Sequence, residues 1–189
     1  YTGGTVAARQ CLSLFLTRKL ARYGEERNEP DADVASGLSP WLHFGHISVH
    51  EVFQQLAEQE KWNTGLLADP KQTRGSRNGW WGMSESAESF LDELVTWREL
   101  GFNMCWQDRR YDRWESLPDW ARKTLHEHAT DRRPETYTHE QLEAAATGDR
   151  IWNAAQRQLL REGRMQNYLR MLWGKKVLEW SPQPQQALA

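Results

Sequence analysis

Apolar side chains recur along this chain at intervals of three and four, and no stretch alternates apolar with polar long enough for a strand. Ala7, Cys11, Leu14, Phe15 and Ala21 predict a first helix from Gly4 to Tyr23, closed by Gly24. An acidic segment rich in Pro, Asp and Gly reads as a loop. It leads to SGLSP, where Ser39 is placed to cap a short helix with Pro40 at its first position. Ser48 and Glu51 have capping-box spacing for a helix over 49–61. Residues 63–82 lack periodicity and form the longest expected loop, with Trp80 and Trp81 at its exit. Ser84 then caps a long helix through Trp106 whose inward face is Leu91, Leu94, Val95, Arg98, Phe102 and Cys105. Ser116 and Pro118 open a helix to His128, and Thr138 with Gln141 caps another before Gly148. The pattern predicts an all-α fold in a single helical domain over 1–189.

The strongest stripes lie in 148–180, as two helices separated at Gly163. Asp149 caps the first, with Ile151, Trp152, Ala155 and Leu159 inward. Met165, Leu169, Leu172, Trp173 and Trp180 form the face of the second. Trp173 and Trp180, seven residues apart, are about 10.5 Å apart along the axis and share that face. Arg170 sits within a turn of it, next to Met171. A buried guanidinium needs an anionic or strongly polar partner. Packing alone accounts for such aromatics, and a carboxylate alone for such an arginine; a bound ligand accounts for both.

Charge adds to this picture. The stretch carries seven basic side chains against three acidic ones, while the whole chain has a formal net charge of −2. Positive charge is concentrated here, and any nucleic-acid contact has to use a local patch. With 39% apolar and 26% charged residues the composition is that of a soluble globular protein. No apolar run approaches the roughly 20 residues needed to span a bilayer, and no secretory signal opens the sequence. Two cysteines are too few for a disulfide framework and suit a reducing cytosol. Eleven tryptophans exceed ordinary use and permit a ligand with an aromatic face. His43, His46 and His50 would share one face of a continuous helix, but Gly45 and the Ser48 cap interrupt it, so no metal site is expected.

Three blocks carry chemistry. Small residues before the helix start at 36–39 offer backbone N–H groups suited to a phosphate, as well as an ordinary cap. In FLDELVTWREL, Glu93 and Trp97 are i, i+4 neighbours while Arg98 falls on the apolar face. Trp152, Trp173 and Trp180 follow at spacings of 21 and 7.

WNAAQRQL, GRMQNYLRMLWGKKVLEW, SGLSPWLHFG preceded by Tyr23, Arg27, Asn28 and Pro30, and FLDELVTWREL together resemble the FAD-binding domain of class II cyclobutane-pyrimidine-dimer photolyases. The agreement runs from Tyr23 to the C-terminus and includes the four-residue Glu93–Trp97 spacing. The resemblance implies that Tyr23, Ser36, Gly37, Leu38 and Ser39 hold the FAD phosphates, with Arg98, Asn167 and Arg170 beside the cofactor. It implies that Glu93, Trp97 and Met171 meet the dimer, and that Trp152, Trp173 and Trp180 relay electrons to the flavin. Arg157, Arg161, Lys175 and Lys176 are candidates for phosphate contacts on damaged double-stranded DNA, or form a solvated face. Gln166 stands where related enzymes often carry His, which speaks against (6-4) repair.

The family's N-terminal antenna domain and its C-terminal end have no counterpart here. The chain is therefore expected to be part of a larger photolyase, joined by the remainder of that chain, monomeric and cytoplasmic. The expected activity is light-driven repair of pyrimidine dimers by electron transfer from reduced FAD. A cryptochrome-like photoreceptor and a flavin-free helical binding module of the same fold are the alternatives.

Overall fold

The expected first helix forms, but a π turn inside it changes which side chains it buries. The computed structural model describes residues 2–74, 76 and 78–188 (of Gln72, the backbone alone). Among these residues every regular element is helical, as the pattern predicts. Helix α1 spans Thr5–Leu14, a π-helical segment covers Phe15–Lys19, and α2 continues over Leu20–Glu26. A π turn holds an additional residue, so the inward face runs Ala8, Leu12, Phe15, Leu16, Leu20 and Tyr23. Ala21, expected inside from an unbroken 3.6-residue period, is exposed beyond the π turn; Leu14, also expected inside, precedes that turn and is exposed because α1 turns Ala8 and Leu12 inward. Gly24 lies within α2 and does not end it. A Cβ there would meet Ser86 Oγ at 3.0 Å and Ser86 Cα at 3.4 Å. The Gly24 N–H donates to that hydroxyl at 3.1 Å, and the hydroxyl donates to the Ala21 carbonyl at 3.1 Å. Close approach of two segments is what this glycine permits.

The chain divides into two compact units, Tyr1–Gly101 and Phe102–Ala189. In the first, α3 spans Ser39–His43. Gly37 takes φ 69°, so Leu38 is already near helical dihedrals and occupies the cap position intended for Ser39. Helix α4 spans Val49–Gln59, with the Ser48 hydroxyl accepting the Glu51 N–H at 3.0 Å. It stops short of the expected boundary because Lys61 turns left-handed at φ 52°. The expected long loop contains a 3-10 turn, Thr64–Leu66, and a short α5, Pro70–Thr73. Its exit is fastened by the buried Glu88 carboxylate, which accepts the N–H groups of Gly79, Gly82 and Met83. The Trp62 indole N–H donates to the Trp81 carbonyl at 2.6 Å, and both rings pack against Phe53.

Helix α6 spans Glu85–Leu91 behind its Ser84 cap. A second π segment covers Asp92–Trp97, and α7 runs over Arg98–Gln107. Ala87, Phe90, Leu91 and Leu94 join the core of the first unit, with the Phe15 and Phe90 rings 4.7 Å apart. The additional residue of the π turn carries the stripe off its line. Phe102 and Cys105, expected inside, are exposed.

The second unit holds a 3-10 turn over Trp114–Ser116, α8 over Asp119–Glu127, and α9 over His139–Glu143 with a complete Thr138–Gln141 capping box. Helix α10 covers Arg150–Glu162, and its Asp149 cap accepts from the N–H groups of Ile151 and Trp152. Gly163 closes it at φ 66°, and α11 follows over Asn167–Trp180. Ala145, Trp152, Ala155 and Trp180 are buried, whereas Ile151, Leu159 and Leu172 are exposed, contrary to the expected stripes. The polar Asn153 and Gln156 take the inward face of α10 because their amides are bonded. Asn153 exchanges hydrogen bonds with Thr147, and Gln156 Nε2 donates to the Glu143 carbonyl.

Candidate functional site

In the first unit an arginine that had no assigned role joins two of the expected site residues, Tyr23 and Glu93. Arg27, four residues beyond Tyr23 and just past the end of α2, donates to Glu93 Oε1 at 2.9 Å and to the Ser89 carbonyl at 3.4 Å. Its guanidinium lies 5.9 Å from the Tyr23 ring centre. Tyr23 is buried between Phe15 and Phe90, with centroids at 5.6 and 5.7 Å. Burial raises its phenol pKa, and the neighbouring Arg27 works against that rise. Glu93 is thus a partly exposed carboxylate already committed to a cation. The i, i+4 position of Arg27 relative to Tyr23 was legible; its reach across to Glu93 was not, because that depends on how α2 packs on α6. Trp97 is 57% exposed, and its indole N–H donates to buried Asp92 at 3.2 Å. Arg98 is half-buried.

The Ser36–Ser39 turn is drawn towards α1 by the Cys11 thiol, which donates to the Ser36 carbonyl at 3.2 Å. Burial raises the pKa of that thiol. Leu38 N–H faces Ser36 Oγ at 3.4 Å, and no side chain caps α3 from the Leu38 position. Two hydroxyls and a helix start without a side-chain cap form a donor set suited to an anion.

In the second unit the three tryptophans are in contact, with Trp152 in the middle. Its ring stacks on Trp173 at a centroid distance of 5.9 Å and an interplanar angle of 5°. It meets Trp180 at 5.5 Å and 71°. Hydrogen bonds fix the rings: Trp152 Nε1 donates to the Trp173 carbonyl at 3.2 Å, and Trp173 Nε1 donates to Gln156 Oε1 at 2.9 Å. The row continues to Tyr137, which the sequence pattern did not single out. Its ring lies 5.2 Å from Trp180, and its N–H donates to the Trp180 carbonyl at 3.3 Å. The Tyr137 hydroxyl donates to Glu135, raising the phenol pKa, and accepts the Gly148 N–H at 2.8 Å. The Lys176 ammonium lies 5.4 Å from the Trp180 ring centre, where its charge disfavours a positive hole on that indole. Oxidisable rings in contact form a path along which an electron can hop.

The remaining site residues of this unit are mostly at its surface. Arg170 donates to Asn167 Oδ1 at 2.6 Å, so these two act as one polar pair, and Met171 is exposed. Gln166 caps α11 through its side-chain oxygen, which accepts the Tyr168 and Leu169 N–H groups. Among the cations, Arg157 donates to the Ala145 carbonyl at 3.1 Å. Arg161 is 3.5 Å from Glu162, and Lys176 is 3.0 Å from Glu179. Lys175 is exposed.

This helical architecture recurs in a bacterial class III photolyase from Agrobacterium tumefaciens. That structure is similar over 100% of this chain and 37% of its own, with a TM-score of 0.64 and 22% sequence identity. The chain therefore has a photolyase-type helical fold. No family model matches it. Its sequence is 40% identical over 98% of its length to a deoxyribodipyrimidine photo-lyase of Potorous tridactylus, 31% of which is covered. It is 43% identical over 93% of its length to one of Oryza sativa subsp. japonica, again covering 31%. It is 36% identical over 99% of its length to one of Methanothermobacter thermautotrophicus, covering 36%. Over nearly its whole length the chain is thus similar to deoxyribodipyrimidine photo-lyases, and it spans about a third of the length of these relatives. Among the described residues no helix is long and apolar enough to cross a membrane.

Proposed function

We propose that this chain is the flavin-holding part of a class II photolyase that repairs cyclobutane pyrimidine dimers in DNA. The observation that carries the reading is the contacting row Trp173–Trp152–Trp180, because a photochemical electron donor needs a route by which its own electron is replaced. FAD, when bound, supplies the electron that splits the dimer. The donor set at 36–39 fits the group's phosphates: Ser36 and Ser39 bring hydroxyls, the start of α3 brings the N–H groups of Ser39 and Trp41 on either side of Pro40, which has none, and Val34–Ser39 contains no carboxylate. Asn167 and Arg170 hold the cofactor as a pair. Glu93 accepts hydrogen bonds from the lesion's bases while Arg27 holds it in place. Trp97 and Met171 each offer an apolar surface to an extruded dimer. A dimer stacks poorly in the duplex, so its extrusion costs less than that of an intact pair. Arg157, Arg161, Lys175 and Lys176 bind the phosphate backbone, and their neutralisation weakens binding in a salt-dependent way.

The test is absorption of the purified chain after FAD addition and desalting, followed by blue-light treatment of a dimer-bearing duplex with the flavin reduced. Retained flavin and light-dependent loss of dimers are the expected results. Retained flavin with intact dimers favours the photoreceptor reading, and no retained flavin overturns the cofactor role of this chain.

A further inference from the structure

Asp92 opens the second π segment and is 6% exposed. Its Oδ2 accepts the indole N–H of Trp97, five residues on, at 3.2 Å. On a regular α-helix, residues five apart point about 140° away from each other. The i→i+5 winding of a π turn brings them to one side. The hydrogen bond therefore exists because of the π turn, and it engages the polar edge of an indole that is otherwise 57% exposed. Asp92 also lines a cavity of about 360 Å³ with Trp80, Trp81, Glu88 and Thr96. A buried carboxylate in that wall is a fixed point, and the exposed ring is the movable part.

We propose that Asp92 is a positioning residue for Trp97. Its carboxylate holds the indole by the N–H, fixes the plane of the ring, and so sets the surface on which the flipped dimer stacks. This rests on the repair reading above. An exposed indole without that anchor samples several rotamers and loses part of its binding free energy to ordering when the lesion arrives. Asp92 thus governs lesion affinity without touching the lesion.

The experiment makes Asp92→Ala and Asp92→Asn in the parent chain and in Trp97→Phe, whose ring has no N–H to offer. The first readout is indole N–H exchange by NMR on the ligand-free chain, with the Trp97 signal identified by its loss in Trp97→Phe. That proton should exchange about tenfold faster in Asp92→Ala, as expected for loss of a hydrogen bond to a charged acceptor. Asp92→Asn, whose amide oxygen still accepts, should fall between. The second readout is affinity for a duplex carrying one thymine dimer relative to the same duplex undamaged. Asp92→Ala should lower this preference about five- to tenfold in the parent chain and leave it unchanged in the Trp97→Phe background. Unchanged exchange, or an equal loss of preference in both backgrounds, overturns the proposal. Trp97→Ala separates it from the wider reading. If that variant keeps full lesion preference, the stacking role itself fails. If it loses preference while Asp92 acts alike in both backgrounds, only the role of Asp92 fails. The other indole signals report whether each variant remains folded, and Asp92→Asn carries the test if Asp92→Ala does not.

Discussion

Tyr23 is a phenol placed where water is scarce, and its ionisation is linked to folding. In the unfolded chain it loses its proton near the usual value of about 10; in the native state burial delays that loss. Its contribution to stability is complete below the unfolded value and declines as pH rises through the native one. Urea midpoints measured from pH 8 to 11 should therefore fall with pH, and Tyr23→Phe should fall less steeply. An unchanged slope would mean that Arg27 compensates the burial fully. At this scale the residue types of the candidate site could be proposed from the sequence, Tyr23, Glu93, Trp97 and the three tryptophans among them. Their partners were not. Arg27 on Glu93, Asp92 on Trp97 and Glu135 on Tyr137 each depend on packing or winding that a list of residue types does not contain.

Among the elements, what the sequence showed best were the ends, because capping is local. Asp149, Gly163 and the Thr138–Gln141 box all stand where their chemistry placed them. Asp149→Ala should cost about 1 kcal/mol, the usual worth of an N-cap, and thermal unfolding would show it as a lowered Tm. Asp149→Asn, which keeps an acceptor, should recover most of that loss. Helix interiors were harder to read. A uniform 3.6-residue period put Leu14, Ala21, Phe102 and Cys105 inside; the π segments precede the last three and shift them off the stripe, whereas Leu14 lies before the first of them, on an α1 that turns Ala8 and Leu12 inward. Gly24 looked like a terminator because glycine often is one, yet here it admits Ser86. On α10, Asn153 and Gln156 displaced the expected apolar positions because hydrogen bonds made their burial tolerable.

For the whole molecule, the spacings of 21 and 7 marked three tryptophans for one path but could not order them. The geometry puts Trp152 between the other two, with Tyr137 beyond Trp180. Trp152→Phe should therefore slow flavin photoreduction under blue light more than Tyr137→Phe does, as followed by the loss of the oxidised flavin's absorption. Equal rates in the two variants would mean that electrons bypass the row. The all-α architecture was legible from periodicity throughout; the division into two units was not, since no linker composition marks the middle of α7. The π turns have one more consequence, for how this chain is compared with others. Each absorbs a single inserted residue without breaking its helix. A relative wound as plain α-helix between Leu91 and Arg98 would align with a one-residue gap there and regain full register on both sides. Such a gap, usually dismissed as alignment noise, would mark whether a given homologue can form the carboxylate–indole contact at all.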